Sequence, residues 1–214
     1  MSIKKIIQSF QEELDEKYRI REEVLLNSRT IIRLSKQAVM ATHRGEVAEA
    51  EKILGQALKL LDQIRESSSK HQELFYHGAV TAAFQEYAEA QTFYKFVKEG
   101  EFLDPKDFDI PTIPYLLGLG DVVGELRRRA LDRLRVGDLE GAEGCLQTME
   151  NIYTELISLG SVYNLASSLR RKCDVARRLI EATRGEVTVE TRRSVLKRSL
   201  EDLEKRMAEK RKRS

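Results

Sequence analysis

Tryptophan is absent from this 214-residue chain, proline occurs three times and cysteine twice. The three prolines (Pro105, Pro111 and Pro114) fall in one short stretch, so nothing else along the chain forces a helix to stop. Cys145 and Cys173 are too few for a disulfide framework or a cysteine-based zinc site, and both lie in helical patterns where buried free thiols are expected. No apolar run approaches the roughly 18 residues that a membrane span requires. The N-terminus opens directly into an amphipathic pattern, without the apolar core of a signal peptide, so a cytoplasmic protein with no membrane partner is expected. Charge of one sign is also lacking. Lys and Arg number 37 against 35 Asp and Glu, which excludes a disordered polyelectrolyte. Only three histidines occur (His43, His71 and His77), and none completes a Glu-x-x-His motif of the kind found in di-metal bundles.

What is present reads as helix almost throughout, and an all-α fold is expected. Ile3, Ile6, Ile7, Phe10 and Leu14, then Val24, Leu25, Ile31, Ile32 and Val39, keep a helical spacing from Ser2 to His43. With no Pro or Gly inside it, this segment predicts one helix of roughly 60 Å. Arg44-Gly45-Glu46 ends it. Further segments are expected over Val47–Ile64, His71–Lys98, Tyr115–Val136, Asp138–Leu159 and Ser161–Ala182, with a break at Ser67-Ser68-Ser69 and a loop from Glu99 to Pro114. A polar final segment, Thr188–Arg213, carries a thin apolar seam of Val195, Leu196, Leu200 and Leu203 and is expected to fray. The division implied is a helical domain over 1–186 and a basic extension over 187–214. Gly45-Glu46-Val47 echoes Gly137-Asp138-Leu139. The 92-residue separation of the two copies fits no 34-residue repeat, so they read as shared helix-start chemistry.

Two pairs of acids stand out. Glu86 and Glu89 are spaced i,i+3, and Asp121 and Glu125 are spaced i,i+4, so each pair shares a helix face. Their surroundings are apolar or small, and acids there are costly unless compensated. Pairing with Lys or Arg of a neighbouring helix is one solution. A hard divalent cation held between the two pairs is the other, and the all-oxygen donor set would suit Mg²⁺, or Mn²⁺, over zinc or iron. Gly118, Gly120 and Gly124 are poor helix formers beside these acids, and they would let the helix approach its neighbour closely. Such a carboxylate site typically polarises a phosphate and activates water for phosphodiester hydrolysis.

The residues around the acids also resemble a known family. Gln85-Glu86-Tyr87-Ala88-Glu89-Ala90, followed by Phe93, is similar to the Q-E-F-x-E-A stretch of translin-associated factor X in the translin family. Tyr115-Leu116-Leu117-Gly118 through Asp121, Gly124, Glu125, Leu126 and Arg128 resembles that family's Y-x-x-G-x-x-D-x-x-G-E-L-x-R. The resemblance covers roughly residues 17–185, with both motifs in order and the acidic loop between them. It implies a seven-helix bundle with a long N-terminal helix, a hollow homo-octamer and an archaeal source. It also implies a Mg²⁺-dependent endoribonuclease that cleaves single-stranded RNA inside the shell, with Glu86, Glu89 and Asp121 as metal ligands and Glu125 in the same site. The basic N-terminal tail of the eukaryotic catalytic subunit is missing, and the basic segment past residue 185 has no counterpart. Translin itself shares the fold and binds nucleic acid with an incomplete acidic set. A non-catalytic shell binding RNA or single-stranded DNA is therefore the alternative, and a tetratricopeptide-like scaffold is a third reading.

RNA requires positive charge. Arg29, Arg33 and Lys36 lie on one face of the first helix and suit phosphates, while a solvated or salt-bridged face is the competing reading. Lys70 and His71 lie near helix ends and could face substrate, though surface roles are the simpler expectation. Of Arg127, Arg128 and Arg129, which point in different directions, at most one or two can address the acids, and Arg128 is the candidate. The aromatics of the third segment, Phe75, Tyr76, Phe84, Tyr87, Phe93, Tyr94 and Phe96, read as core and not as base-stacking platforms.

Overall fold

The computed structural model describes residues 2–70, 78–160 and 167–213, apart from the side chains of 68–70, 167 and 210–213. The described residues hold six α-helices and one 3₁₀ turn and contain no strand. The helices are α1 (Ile3–His43), α2 (Val47–Lys70), α3 (Gly78–Glu99), α4 (Thr112–Arg135), α5 (Leu139–Ser158) and α6 (Ser167–Arg213). Contacts divide the chain into two compact units, Met1–Val122 and Val123–Ser214, with the division inside α4.

The count corrects the expected seven helices to six among the described residues. The polar final segment does not form a helix of its own. It continues α6 unbroken through Gly185, whose surroundings are open. One glycine costs a helix only about 1 kcal/mol, which the neighbouring turns absorb. Ser67-Ser68-Ser69 likewise lies inside α2 and breaks nothing, because serine is only mildly unfavourable in a helix. The first helix is a single helix, as its uninterrupted pattern predicts. Gly45 ends it at φ 75°, a left-handed turn that glycine adopts without strain. Gly137 repeats the device at φ 79°, and Asp138 then caps α5 by accepting from the Gly141 amide at 2.8 Å. Pro114 sits in the first turn of α4, where no intrahelical N–H bond is lost, so that helix begins at Thr112 and not at Tyr115.

In the first unit α1 packs on both α2 and α3, and α2 also meets α3. Their shared core holds Ile31 and Ala38 of α1, Leu54 and Leu61 of α2, and Phe84, Tyr87 and Phe93 of α3, all fully or nearly fully buried. Of the aromatics expected in the core, Phe84, Tyr87, Phe93 and Tyr94 are buried, Phe96 is half-buried, and Phe75 and Tyr76 lie outside the described residues. The loop before α4 is tied down by Arg65 of α2. Its guanidinium donates to the Phe108 and Asp109 carbonyls, pairs with Asp62 and lies over the Phe84 ring at 5.3 Å. Tyr115 closes the loop by donating to the Leu103 carbonyl at 2.7 Å. In the second unit α5 packs on α6. Cys145, Met149, Leu156, Leu169 and Ile180 are buried there, and both cysteines are free thiols. No described helix is long and apolar enough to cross a membrane.

Candidate functional site

Helical periodicity sets α3 so that Phe84, Tyr87 and Ala88 point into the core while Gln85, Glu86 and Glu89 lie half-buried beside them. Helix α4 comes against that edge at Gly118. A Cβ built on Gly118 would stand 2.7 Å from the Gln85 carbonyl oxygen and 3.0 Å from both Ala88 Cβ and the Glu89 amide nitrogen. Only glycine permits this crossing. It brings the start of α4 onto α3 at the level of Gln85 to Glu89.

Asp121 follows Gly118 by three residues and so lies nearly above it on the same helix face. Gln85 Nε2 donates to Asp121 Oδ2 at 2.7 Å, which fixes the carboxylate against α3. Glu86 faces α1, where Lys36 Nζ approaches its Oε1 at 3.9 Å. Glu89 is half-buried on α3 one turn beyond Glu86. Glu125 is half-buried one turn beyond Asp121 on the continuous α4. Among the described residues no three His, Cys, Asp or Glu side chains are gathered into a ready-made ion cage. The structure thus brings Glu86, Glu89 and Asp121 onto adjoining edges of α3 and α4, with the Glu86 and Asp121 carboxylates turned to protein partners.

Gly124 does not share the role of Gly118. A Cβ there meets nothing within 4 Å, so close approach is the work of Gly118. Gln85 is the residue that sequence reasoning passed over. It stands inside the Gln-Glu-Tyr-Ala-Glu-Ala motif, and an amide beside an acid pair is the signal that would have singled it out.

The predicted basic stripe is real and lines a groove. Arg29, Arg33 and Lys36, with Gln37, Met40 and Arg44, form one wall of a cleft of about 940 Å³ between α1 and α2. Arg33 bonds Gln37 at 3.3 Å, one turn along, and Arg44 is held by Glu46 at 2.6 Å. Lys36 is 66% exposed, and its ion pair to Glu86 is worth about 0–1 kcal/mol, so it remains available to an anion in the groove. The three arginines of α4 part company. Arg127 donates to Thr183 Oγ1 at 2.7 Å and to Glu186 at 3.0 Å, tying α4 to α6. Arg129 is half-buried, and that burial pushes its pKa down. Arg128 is exposed. The Lys70 side chain and His71 lie outside the described residues, and His43 stacks on Phe93 at 4.7 Å.

Long helices with no strand among the described residues, paired acids at a glycine-mediated crossing and a basic groove on the first helix define the class of molecule. Comparison with known proteins places it. The translin family profile matches residues 19–182, and the chain belongs to the translin family. It is 28% identical over 169 residues to an uncharacterised protein of Methanocaldococcus jannaschii, covering 78% of this chain and 75% of that one. It is 26% identical over 193 residues to translin-associated protein X of Rattus norvegicus, covering 72% and 67%. Among solved structures, AfC3PO in complex with duplex RNA superposes with a TM-score of 0.79 at 33% identity, over 86% of this chain and 96% of that one.

Proposed function

We propose that this protein is a Mg²⁺-dependent endoribonuclease that cleaves single-stranded RNA inside a hollow homo-oligomeric shell, an octamer, in the cytoplasm. The observation that carries the reading is the Gly118 crossing, which sets Asp121, held by Gln85, against the helix edge bearing Glu86 and Glu89. The similarity to a protein solved with duplex RNA and to translin-associated protein X supports RNA as the partner class.

The donor set fits a hard cation. Every candidate ligand is a carboxylate oxygen on a half-buried side chain, the donor type that hard cations prefer. Glu86, Glu89 and Asp121 would hold Mg²⁺ (or Mn²⁺), with Glu125 as the fourth acid. The bound ion would supply Lewis acidity at a phosphate oxygen and a more acidic water. The chain's own residues do the rest. Gln85 orients the Asp121 carboxylate by donating to its Oδ2. Lys36 neutralises Glu86 before loading and turns to phosphate afterwards. Arg29, Arg33 and Lys36 bind the RNA backbone along the α1 groove, which positions a phosphodiester without reading its sequence. Lys70, His71 and Arg128 are further candidates for backbone contact.

The test uses labelled single-stranded RNA with the wild-type protein and with Glu86→Ala, Glu89→Ala and Asp121→Ala. Cleavage that depends on Mg²⁺, stops with EDTA and is lost in each variant is the expected result. Full cleavage by an Asp121→Ala protein of unchanged oligomeric state would sink the proposal. The second reading is a non-catalytic shell that binds RNA or single-stranded DNA. It is favoured by one observation, that the Glu86 and Asp121 carboxylates already have protein partners. It predicts salt-dependent binding with no turnover under any metal.

A further inference from the structure

Both ends of the chain run past the compact part as bare helix. α1 has no buried residue before Val24, and α6 has none after Val187 among the described residues. The α1 overhang, residues 3–23, is about 30 Å of helix and the α6 overhang, residues 188–213, about 40 Å, and each lies mostly or wholly outside the region matched to the family, 19–182. Each nevertheless carries an apolar seam. On α1 the seam is Ile3, Ile7, Phe10 and Leu14, and on α6 it is Leu196, Leu200, Leu203 and Met207. The steps are four, three and four in both, which is the a/d rhythm of a coiled coil. All eight side chains are between 52% and 72% exposed in the single chain. A solvated helix has no use for such a rhythm, and seams of identical spacing and length suit one another.

Charge selects the partner and its direction. Glu12, Glu13, Asp15 and Glu16 form an acidic block beside the α1 seam. Arg192, Arg193, Lys197 and Arg198 form a basic block beside the start of the α6 seam. With Ile7 opposite Leu203 and Phe10 opposite Leu200 in antiparallel sense, Glu12 and Glu13 fall level with Arg198 and Lys197 and Lys4 can reach Glu204, while Lys5 falls level with Lys205. Parallel alignment sets Lys4 and Lys5 level with Lys197 and Arg198 and Glu16 level with Glu209, and its attractive matches are Glu12 with Lys205 and Glu13 with Arg206. Along each overhang the charges form exposed intrahelical pairs, such as Lys17 with Glu13 at 2.9 Å and Lys197 with Glu201 at 3.9 Å. Exposed pairs of that kind are weak and exchange readily.

We propose that the N-terminal overhang of α1 pairs with the C-terminal overhang of α6 from a second copy of this chain, as a two-heptad antiparallel coiled coil. The contact joins copies through segments that flank the family region, and it stands independently of the nuclease reading.

Cysteine cross-linking of the full chain tests it, since the native Cys145 and Cys173 are buried. An Ile7→Cys protein and a size-tagged Leu203→Cys protein are oxidised separately and as a mixture. The mixture should yield a disulfide-linked heterodimer at least tenfold more abundant than any homodimer from either variant alone. Absence of the heterodimer overturns the proposal. So does an equal yield from Leu203→Cys alone, which would mean tail–tail pairing, or from Ile7→Cys alone. A looped monomer as the main product of the Ile7→Cys/Leu203→Cys double variant would place the contact within one chain and also overturn it. Linkage of Ile3→Cys to Leu196→Cys, which antiparallel pairing holds about 16 Å apart, would refute the stated direction.

Discussion

Replacing Gly118 and Gly124 by alanine in turn gives two proteins that differ by one methyl group a turn and a half apart on the same helix. Helix propensity favours alanine over glycine by about 1 kcal/mol at either position. At Gly124 nothing opposes that gain, because the added Cβ meets no atom within 4 Å and the backbone is already helical. The Gly124→Ala protein should therefore be more stable, with a Tm higher by about 2–4 °C for a chain of this size. At Gly118 the Cβ would come within 2.7 Å of the Gln85 carbonyl oxygen and 3.0 Å of the Glu89 amide nitrogen. These are backbone atoms of a packed helix and cannot swing aside, so α4 must move off α3. Overpacking of this kind costs about 1–3 kcal/mol. With two close backbone contacts the upper end of that range applies, which leaves a net loss of about 1–2 kcal/mol and a Tm lower by about 3–6 °C. The same movement stretches the 2.7 Å bond from Gln85 to Asp121, so Gly118→Ala should also lose metal-dependent RNA cleavage while Gly124→Ala retains it. Differential scanning calorimetry of the three proteins reads the stability term directly. If both substitutions raise Tm together, the crossing at Gly118 is not tight and the placement of Asp121 beside α3 falls with it.

Three further outcomes are expected. Lys36→Ala should bind single-stranded RNA more weakly and reduce the slope of log K against log salt by about 0.7, the value for one lost phosphate contact; an unchanged slope in a fluorescence-anisotropy titration would remove Lys36 from the groove's binding face. Arg65→Met should cost about 2 kcal/mol in urea unfolding, because charge-assisted bonds to the Phe108 and Asp109 carbonyls are lost, and should expose 105–109 to limited proteolysis; a loop as resistant as the wild type would show that Arg65 does not anchor it. Asp138 is held below the ordinary aspartate value by the Gly141 amide and then by Arg133, so its charge stabilises the fold above the unfolded-state value of about 3.9 and ceases to do so as pH falls through its lower folded value. The urea midpoints of wild type and Asp138→Asn should accordingly differ at pH 7 and converge near pH 2, and a gap that persists in acid would assign the effect to cap geometry and not to charge.

How far the sequence could be read depended on whether each feature was local. The 41-residue first helix was legible because helix continuity needs only an unbroken pattern and the absence of Pro and Gly. The stops at Gly45 and Gly137 were legible for the same reason, since a left-handed cap is decided within a few residues. Ser67-Ser68-Ser69 and the stretch 183–187, which contains Gly185, were misread as gaps between helices because the intrinsic cost of Ser and Gly is small, and whether a helix survives it depends on what the neighbouring turns bury. Ile64 on one side of the serines and Val187 just past Gly185 are buried, and that tertiary support is invisible in composition. The acids were found from spacing alone, but spacing could not separate Gly118 from Gly124. Both read as small residues beside carboxylates, and only the contact partner on α3 shows that one is a crossing point and the other is open. Gln85 and Arg65 were missed for a related reason. Each acts across 36 or more residues of chain, on Asp121 in one case and on the Phe108 carbonyl in the other, so neither partner can be read from local sequence, even though the amide beside an acid pair marks Gln85 as a candidate. Residue chemistry thus identified which groups could form a site, and the packing of α4 on α3 sets Asp121 against the helix edge that bears Glu86 and Glu89. A single methyl group at Gly118 is for that reason a sharper probe of the site than removal of any one of its carboxylates.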